Sequence, residues 1–489
     1  MQFADYIRYD ATGLADLVSR REVSVSEVAE TAKVAIDRLN PTIGAVIETW
    51  PDGIAEGLDL VPPEAPFRGV PFLVKDILLQ AQGRLSESGS RLCAGIVAAD
   101  DSALMHRFRA AGLVTLGRTK TPEFGLTPTT EPLLYGPTAN PWDLTRSAGG
   151  SSGGAAAAVA SGMVPVAHAS DAGGSIRIPA AACGLVGLKP SRGRISAAPG
   201  ADEIMLGLGA EFIVSRTVRD TAGLLDALHG AEPGDPFEIR HPTEPFTNTL
   251  SAPGQRYRIA MMLNGFNGAA PAPEMALATN AVAALCNDLG HEIVAVDMPL
   301  GVSHDAYVTA SARIWCSGLA AWVRGISAAT GRRADISTLE PATLACLEFG
   351  HTVSGADIFE ALAILNQVRR SAGSFFQTYD LLLTPTLPGE AWTLGSFDMA
   401  DGEMDGIERV AQVFDRVPYT TVANAIGTPA ISLPLNQSKF GMPLGTQFSA
   451  AFGNEAALIA IASQLEATSP WSRRRPLTPA WSSRKQRSP

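Results

Sequence analysis

Two glycine-rich stretches hold serines where a nucleophile could be fixed in place. The first is Arg146-Ser147-Ala148-Gly149-Gly150-Ser151-Ser152-Gly153-Gly154, which runs into an alanine-rich segment. The loop carries too much glycine for a regular element, and the alanines after it read as a helix entered near Ser152. The second is Ser170-Asp171-Ala172-Gly173-Gly174-Ser175-Ile176-Arg177. Two glycines before a serine let backbone N–H groups converge, the geometry an oxyanion hole needs. Each stretch has a plainer alternative: a flexible Gly/Ser linker for the first, a tight turn with an Asp171–Arg177 ion pair for the second. No Asp, Glu, Lys or Arg occurs from 148 to 170. Uncharged flanks argue for a buried loop and against a linker.

A serine needs a base. Seven histidines are present, none in a hydrolase context, and there is no GxSxG elbow. His168 is nearest in sequence but reads better as a hydrogen-bonded core residue. Lysine serves when burial lowers its pKa enough to leave it neutral near pH 7. Lys75 ends the apolar run Gly69-Val70-Pro71-Phe72-Leu73-Val74-Lys75-Asp76 and is the candidate. The alternative is a surface lysine paired with Asp76.

These residues need a rigid frame. Ser24 and Glu27 make a capping box, Val28, Ala32, Ala35 and Leu39 share one face, and Asn40-Pro41 is expected to stop that helix. Apolar strands are expected to end at Lys75 and to span 113–116, 164–169, 379–386 and 427–434, with helices at 103–111 and 456–466. Strands alternating with helices predict an α/β fold with a parallel or mixed sheet. Helices at 311–324 and 358–376 are placed to cover a site built elsewhere. The stretch 233–253, rich in Pro, Glu and Thr, reads as a surface connection.

The 489 residues include 49 acids against 38 bases, a net charge of −11. That balance disfavours nucleic acid and anionic membranes as partners. Arg473-Arg474-Arg475 and the tail at 484–487 are basic exceptions, expected to be solvated. The segment 148–170 is not a membrane span: it is built from Gly, Ala and Ser, with Pro165 inside it. Five scattered cysteines without metal or CxxC spacing imply no disulfide framework, no metal site and a reducing cytoplasm. Met1-Gln2-Phe3-Ala4-Asp5-Tyr6 has neither the basic nor the apolar region of a signal peptide.

Longer motifs carry a family resemblance. Besides 69–76 and both glycine–serine stretches, they include Thr121-Pro122-Glu123-Phe124-Gly125, Thr130-Glu131-Pro132, Tyr135-Gly136-Pro137-Thr138-Ala139-Asn140-Pro141-Trp142-Asp143, Gly184-Leu185-Val186-Gly187-Leu188-Lys189-Pro190-Ser191-Arg192-Gly193 and Arg216-Thr217-Val218-Arg219-Asp220. In this order they resemble the amidase signature family of hydrolases over nearly the whole chain. The resemblance implies a central twisted mixed sheet with helices on both faces, in one unit of four parts: a helical 1–65, a catalytic 66–232, a substrate-covering 233–380 and a core-forming 381–489. It further implies a Ser–cisSer–Lys triad without metal or cofactor. Lys75 falls at the base, Ser151 at the bridging serine after a cis peptide from Gly150, and Ser175 at the nucleophile. Ala172, Gly173, Gly174 and Ser175 would supply oxyanion N–H groups, with Ser152, Asp171 and Arg177 in support.

Within the family, 165–168, 189–196 and 470–476 look like the branch that opens cyclic nylon-oligomer dimers. By that likeness Gly125, Leu126, Thr130 and Cys316 border the substrate. Leu126 departs from it, standing where that branch has asparagine. A pocket without that polar group favours apolar, aryl or carbamate substrates over cyclic dimers. The implied partner is a small-molecule amide, carbamate or ester, for a monomer or homodimer. A glutamine-hydrolysing amidotransferase subunit and a non-catalytic scaffold are the competing readings.

Overall fold

In the computed structural model, residues 1–55, 64–236, 238–251 and 254–476 are described. The strands are β1 (Val46–Thr49), β2 (Val70–Lys75), β3 (Leu113–Thr119), β4 (Ala139–Asn140), β5 (Asp143–Ser147), β6 (Val166–Asp171), β7 (Val186–Lys189), β8 (Ala210–Ser215), β9 (Arg258–Met261), β10 (Glu292–Ala295), β11 (Leu381–Pro385), β12 (Ala430–Gln437) and β13 (Pro443–Ala450). All but the β4–β5 hairpin join one sheet of order β1-β3-β2-β6-β8-β7-β12-β13-β11-β9-β10. It is mixed: β2 runs parallel to β3 and β6, while β8 pairs antiparallel with β6 and β7.

Consecutive strand residues face opposite sides. Leu381 and Leu383 join one apolar cluster while Leu382 joins another, and Ile259 and Ala260 divide the same way. Helices therefore cover both faces, as the α/β reading expected. One cluster gathers the helices Val25–Ile43, Ala103–Ala110, Val218–Leu228 and Glu455–Thr468; the other gathers His304–Thr330, Pro341–Thr352, Gly355–Phe375 and Gly406–Arg416. Three of the latter helices lie within 233–380, and the fourth, Gly406–Arg416, comes from the last quarter of the chain.

The uncharged stretch at 148–170 is interior. Every residue of the helix Gly153–Ser161 is buried. A Cβ at Gly154 would meet Lys120 N and O at 2.6 Å and Ala45 O at 2.7 Å, so this helix backbone packs directly on its neighbours. Among the described residues no helix is long and apolar enough to cross a membrane.

Two expectations fail. The helix Val25–Ile43 keeps its Ser24–Glu27 capping box but runs through Pro41 and stops at Gly44, which is left-handed at φ 66°. Proline's missing N–H removes one bond close to the helix end, and Gly44 N–H closes on Asn40 O at 2.7 Å. The basic cluster is not loose either. Arg474 donates to Pro434 O and Leu435 O, and Arg475 to Ile7 O, at 2.9–3.1 Å. The tail at 484–487 lies outside the described residues.

Candidate active site

The sheet brings the two motifs and the lysine together. In the parallel β2–β6 pair, Leu73 lies opposite Ala167. Continuing that register sets Lys75 beside the end of β6, where Ser170 and Asp171 lead into the second glycine loop. The crevice beyond the carboxyl ends of parallel strands is where open α/β sheets bind ligands.

Lys75 is 1% exposed. Its Nζ lies 2.7 Å from Ser151 Oγ and 2.9 Å from Ser170 Oγ. Burial pulls the ammonium down to about 7, against the charges of Asp171 and Glu211. The surface lysine paired with Asp76 is ruled out, since Asp76 bonds Arg118 Nη1 at 2.9 Å. His168 takes the core role: its Nδ1 accepts from Lys75 N–H at 3.2 Å, and Nε2 faces Glu211 Oε1 at 3.1 Å. Those two bonds together require the Nε2–H tautomer.

The first loop is built by close approach. The Gly150–Ser151 peptide is cis. A Cβ at Gly150 would lie 2.6 Å from Thr129 C and 2.8 Å from Thr129 N. Ser152 enters the helix without capping it; its hydroxyl instead bonds Ser170 O and accepts from Ser170 N–H, tying the two motifs. Thr130, expected at the substrate, is fully buried and holds this loop: it donates to Gly149 O at 2.9 Å and accepts from Gly153 N–H at 3.1 Å. Its one donor is thereby spent on the loop. Gly125 sits against the loop, where a Cβ would reach Ser151 Oγ at 3.2 Å.

The second loop hangs on one ion pair. Asp171 and Arg177 meet at 2.9 Å with both side chains fully buried. Burial alone would raise the Asp171 carboxyl; Arg177 holds it down at about 2. All five Arg177 donors are taken, by Asp171, Thr420 O, Gln447 Oε1 and Asn424 Oδ1. Asn424 donates back to Asp171, and Thr420 Oγ1 donates to Gly173 O at 2.6 Å. Gly174 has φ 133° and no room for a side chain against Thr420 and Ile178.

One expected oxyanion donor is spent: Gly174 N–H bonds Asp171 Oδ1 at 2.7 Å. Among the described residues, the N–H groups of Ala172, Gly173 and Ser175 have no protein acceptor. Ser175 is half-buried, and its hydroxyl has no protein partner among the described residues.

Leu126, Trp315, Cys316, Phe397, Met399 and Val410 contribute to the walls of a small, mostly apolar cleft. Leu126 follows Gly125, and the Trp315 ring lies 2.9 Å from where a Gly173 Cβ would sit, so the walls reach both loops. Cys316 and Leu126 thus share one chamber. The Cys316 thiol is raised by hydrogen bonding to Cys346 and by burial, and stays protonated. Sequence reasoning missed Ser170 as a partner of Lys75. It also missed Thr420, Asn424 and Gln447, which nothing in the sequence separates from the other polar residues of the C-terminal stretch.

The family model described as "Amidase" matches residues 27–459. The chain is 36% identical to the 6-aminohexanoate-cyclic-dimer hydrolase of Paenarthrobacter ureafaciens, over 96% of each chain. A solved structure of 6-aminohexanoate cyclic dimer hydrolase superposes with TM-score 0.92 at 34% identity, covering 96% of this chain and 99% of that one. A bacterial aryl acylamidase structure gives TM-score 0.85 at 27% identity, covering 95% and 97%.

Proposed function

Since the chain belongs to the amidase signature family and is a hydrolase of amide C–N bonds, we propose that it cleaves amides with an apolar or aryl group beside the scissile bond, and carbamates and esters of the same shape, through an acyl-enzyme on Ser175. The observation that carries the reading is the buried Lys75 Nζ, 2.7 Å from Ser151 Oγ, in a pocket that pulls it to about 7.

Neutral Lys75 accepts the Ser151 proton as Ser151 accepts that of Ser175. Ser175 Oγ bonds to the carbonyl carbon, and the N–H groups of Ala172, Gly173 and Ser175 receive the oxyanion. The C–N bond breaks as the relay returns a proton to the leaving amine. Water, deprotonated by the same relay, then attacks the ester; the acid leaves and Ser175 regains its proton. Ser170, beside Nζ, orients the amine lone pair toward Ser151.

Substrate shape follows from the chamber. Leu126 and its apolar neighbours exclude water and leave a polar substituent there unpaired. The glutamine-hydrolysing alternative has no support from these walls, because a free amino acid would bury two charges among them. We keep the cyclic dimer itself outside the favoured class for the reason given by Leu126, although the relatives that carry its name are similar throughout.

The test is a panel of aryl amides, aryl carbamates, aryl esters, a cyclic diamide and glutamine, each assayed with purified protein. Aryl amides are expected to give the highest kcat/KM, and EDTA is expected to change nothing. Glutamine turnover above the anilides, or a metal requirement, would overturn the reading.

A further inference from the structure

The proton relay uses Lys75 and leaves idle a buried histidine and carboxylate behind it. His168 Nδ1 accepts from Lys75 N–H at 3.2 Å, and its Nε2 faces Glu211 Oε1 at 3.1 Å. His168 is fully buried and Glu211 is 6% exposed. In the antiparallel β6–β8 pair, Glu211 stands opposite Ser170. Opposite residues of such a pair put their side chains on one face, about 5 Å apart at Cβ. Ser170 Oγ in turn lies 2.9 Å from Lys75 Nζ. Glu211 is therefore tied to the Lys75 backbone through His168 and stands next to a side chain that holds the Lys75 amine.

The Glu211 carboxylate is poorly compensated. His168 accepts at Nδ1, so its ring carries a single proton, on Nε2, and is neutral. Among the described residues no Lys or Arg forms an ion pair with Glu211; the group that meets it is His168. Arg192 shares a surface cleft with Glu211, along with Asp202, Glu203 and Asp235, but it turns to Glu203 at 3.7 Å and to Gly207 O at 2.6 Å. The other charges around Lys75 are spent. Asp171 on β6 pairs with Arg177, Asp76 next along β2 pairs with Arg118 of β3, and Arg118 also meets Glu48 and Glu87. Burial depresses the Lys75 ammonium, and Asp171 and Glu211 oppose it.

We propose that Glu211, held in place by His168, is a positioning residue whose negative charge keeps Lys75 basic enough to take the Ser151 proton. The proposal rests on the amidase reading above and adds to it the group that tunes the base. Without that charge, burial would carry Lys75 further from its ordinary value. A weaker base is neutral at lower pH but pulls less on the proton, and general-base catalysis is most efficient when the base titrates near the working pH.

The experiment measures kcat/KM for one anilide from pH 5 to 9 in the wild type, Glu211→Gln and Glu211→Asp. Glutamine keeps the shape and an oxygen for His168 Nε2–H but removes the charge; aspartate keeps the charge on a shorter stem. Glu211 raises Lys75, so removing its charge lowers it. For Glu211→Gln the acid limb is expected to move down by about one pH unit, so that activity at pH 6, as a fraction of the plateau, rises about fivefold. The plateau itself should fall about threefold, because the base is weaker. Glu211→Asp should keep its limb within about 0.3 pH units of the wild type. A purely structural role would lower activity equally at every pH. A limb that stays in place in Glu211→Gln, or that moves as far in Glu211→Asp, would overturn the Glu211 assignment and leave the amidase reading standing. Neutron diffraction from wild-type crystals at pH 8 decides the point even if the variants fail to fold: a deuteron is expected on His168 Nε2, and none on Nδ1 or on Glu211. A deuteron on the carboxylate, or on both ring nitrogens, would cancel the charge and overturn the proposal. A wild type that hydrolyses no anilide at all would overturn both readings.

Discussion

The Asp171–Arg177 loop and the chamber under Trp315 share a border but are held by different forces. In the loop, the ion pair at its base is fully paired: Asp171 receives Gly174 N–H, Arg177 and Asn424, and Arg177 spends its five donors. In the chamber, shape comes from the packing of Leu126, Phe397, Met399 and Val413. A paired network in low dielectric tolerates little change, since removing one member strands another. An apolar wall tolerates swaps of similar volume. Geometry in the loop is therefore fixed by hydrogen bonds, whereas the apolar wall can be repacked without stranding a polar partner.

Substitutions on the two sides should differ accordingly. The largest effect is expected from Ser175→Ala, which removes the nucleophile and should cost at least about 10⁴-fold in kcat/KM; near-native turnover of an anilide would break the assignment. Next comes the base. Because burial brings Lys75 to about 7, its neutral fraction grows as pH rises through that value. The kcat/KM profile should climb about tenfold per pH unit below 7 and level off above it. Lys75→Met should lower the plateau by about 10³-fold and abolish this limb, on the scale of losing a positioned general base. A wild-type profile that is flat down to pH 5 would exclude a lysine titrating there.

Asp171→Asn tests the network as structure. It leaves Arg177 buried and without its counter-charge, so urea denaturation should show a loss of about 3–5 kcal/mol. A change below about 1 kcal/mol would mean that the remaining acceptors suffice. On the far side of the border, Leu126→Asn should leave the fold intact and move preference by about tenfold from apolar anilides toward polar or cyclic amides. Equal loss on every substrate would show that Leu126 supports Ser151 and does not select substrate.

The candidates on the loop side were legible because their signals are local. Glycines adjacent to Ser151 and Ser175, and a lysine closing an apolar strand, mark them within a few residues, and the family resemblance supplied their proposed roles. The chamber was less legible. Leu126 and Cys316 were found through likeness to relatives, whereas Arg409 and Val413, which line the same cleft, carry no local signal that would place them there. Thr130 carries a role that its motif did not suggest: its hydroxyl holds the first loop through Gly149 O and Gly153 N–H. A motif identifies a neighbourhood, and coordinates show which of its atoms are already paired within the protein.

Sequence alone determined the α/β class, the uncharged interior helix after Ser152 and the two glycine–serine stretches and strand-end lysine from which the proposed triad is drawn. Each of these depends on periodicity or spacing between near neighbours, and short-range sterics decide them. Tertiary structure decided the rest. Lys75 meets Ser170 across 95 positions, and Arg177 meets Gln447 across 270. Such pairs form only when the sheet brings distant segments to one edge. The low pKa of Lys75 and the spent N–H of Gly174 both follow from that assembly, because burial and pairing are properties of the packed chain.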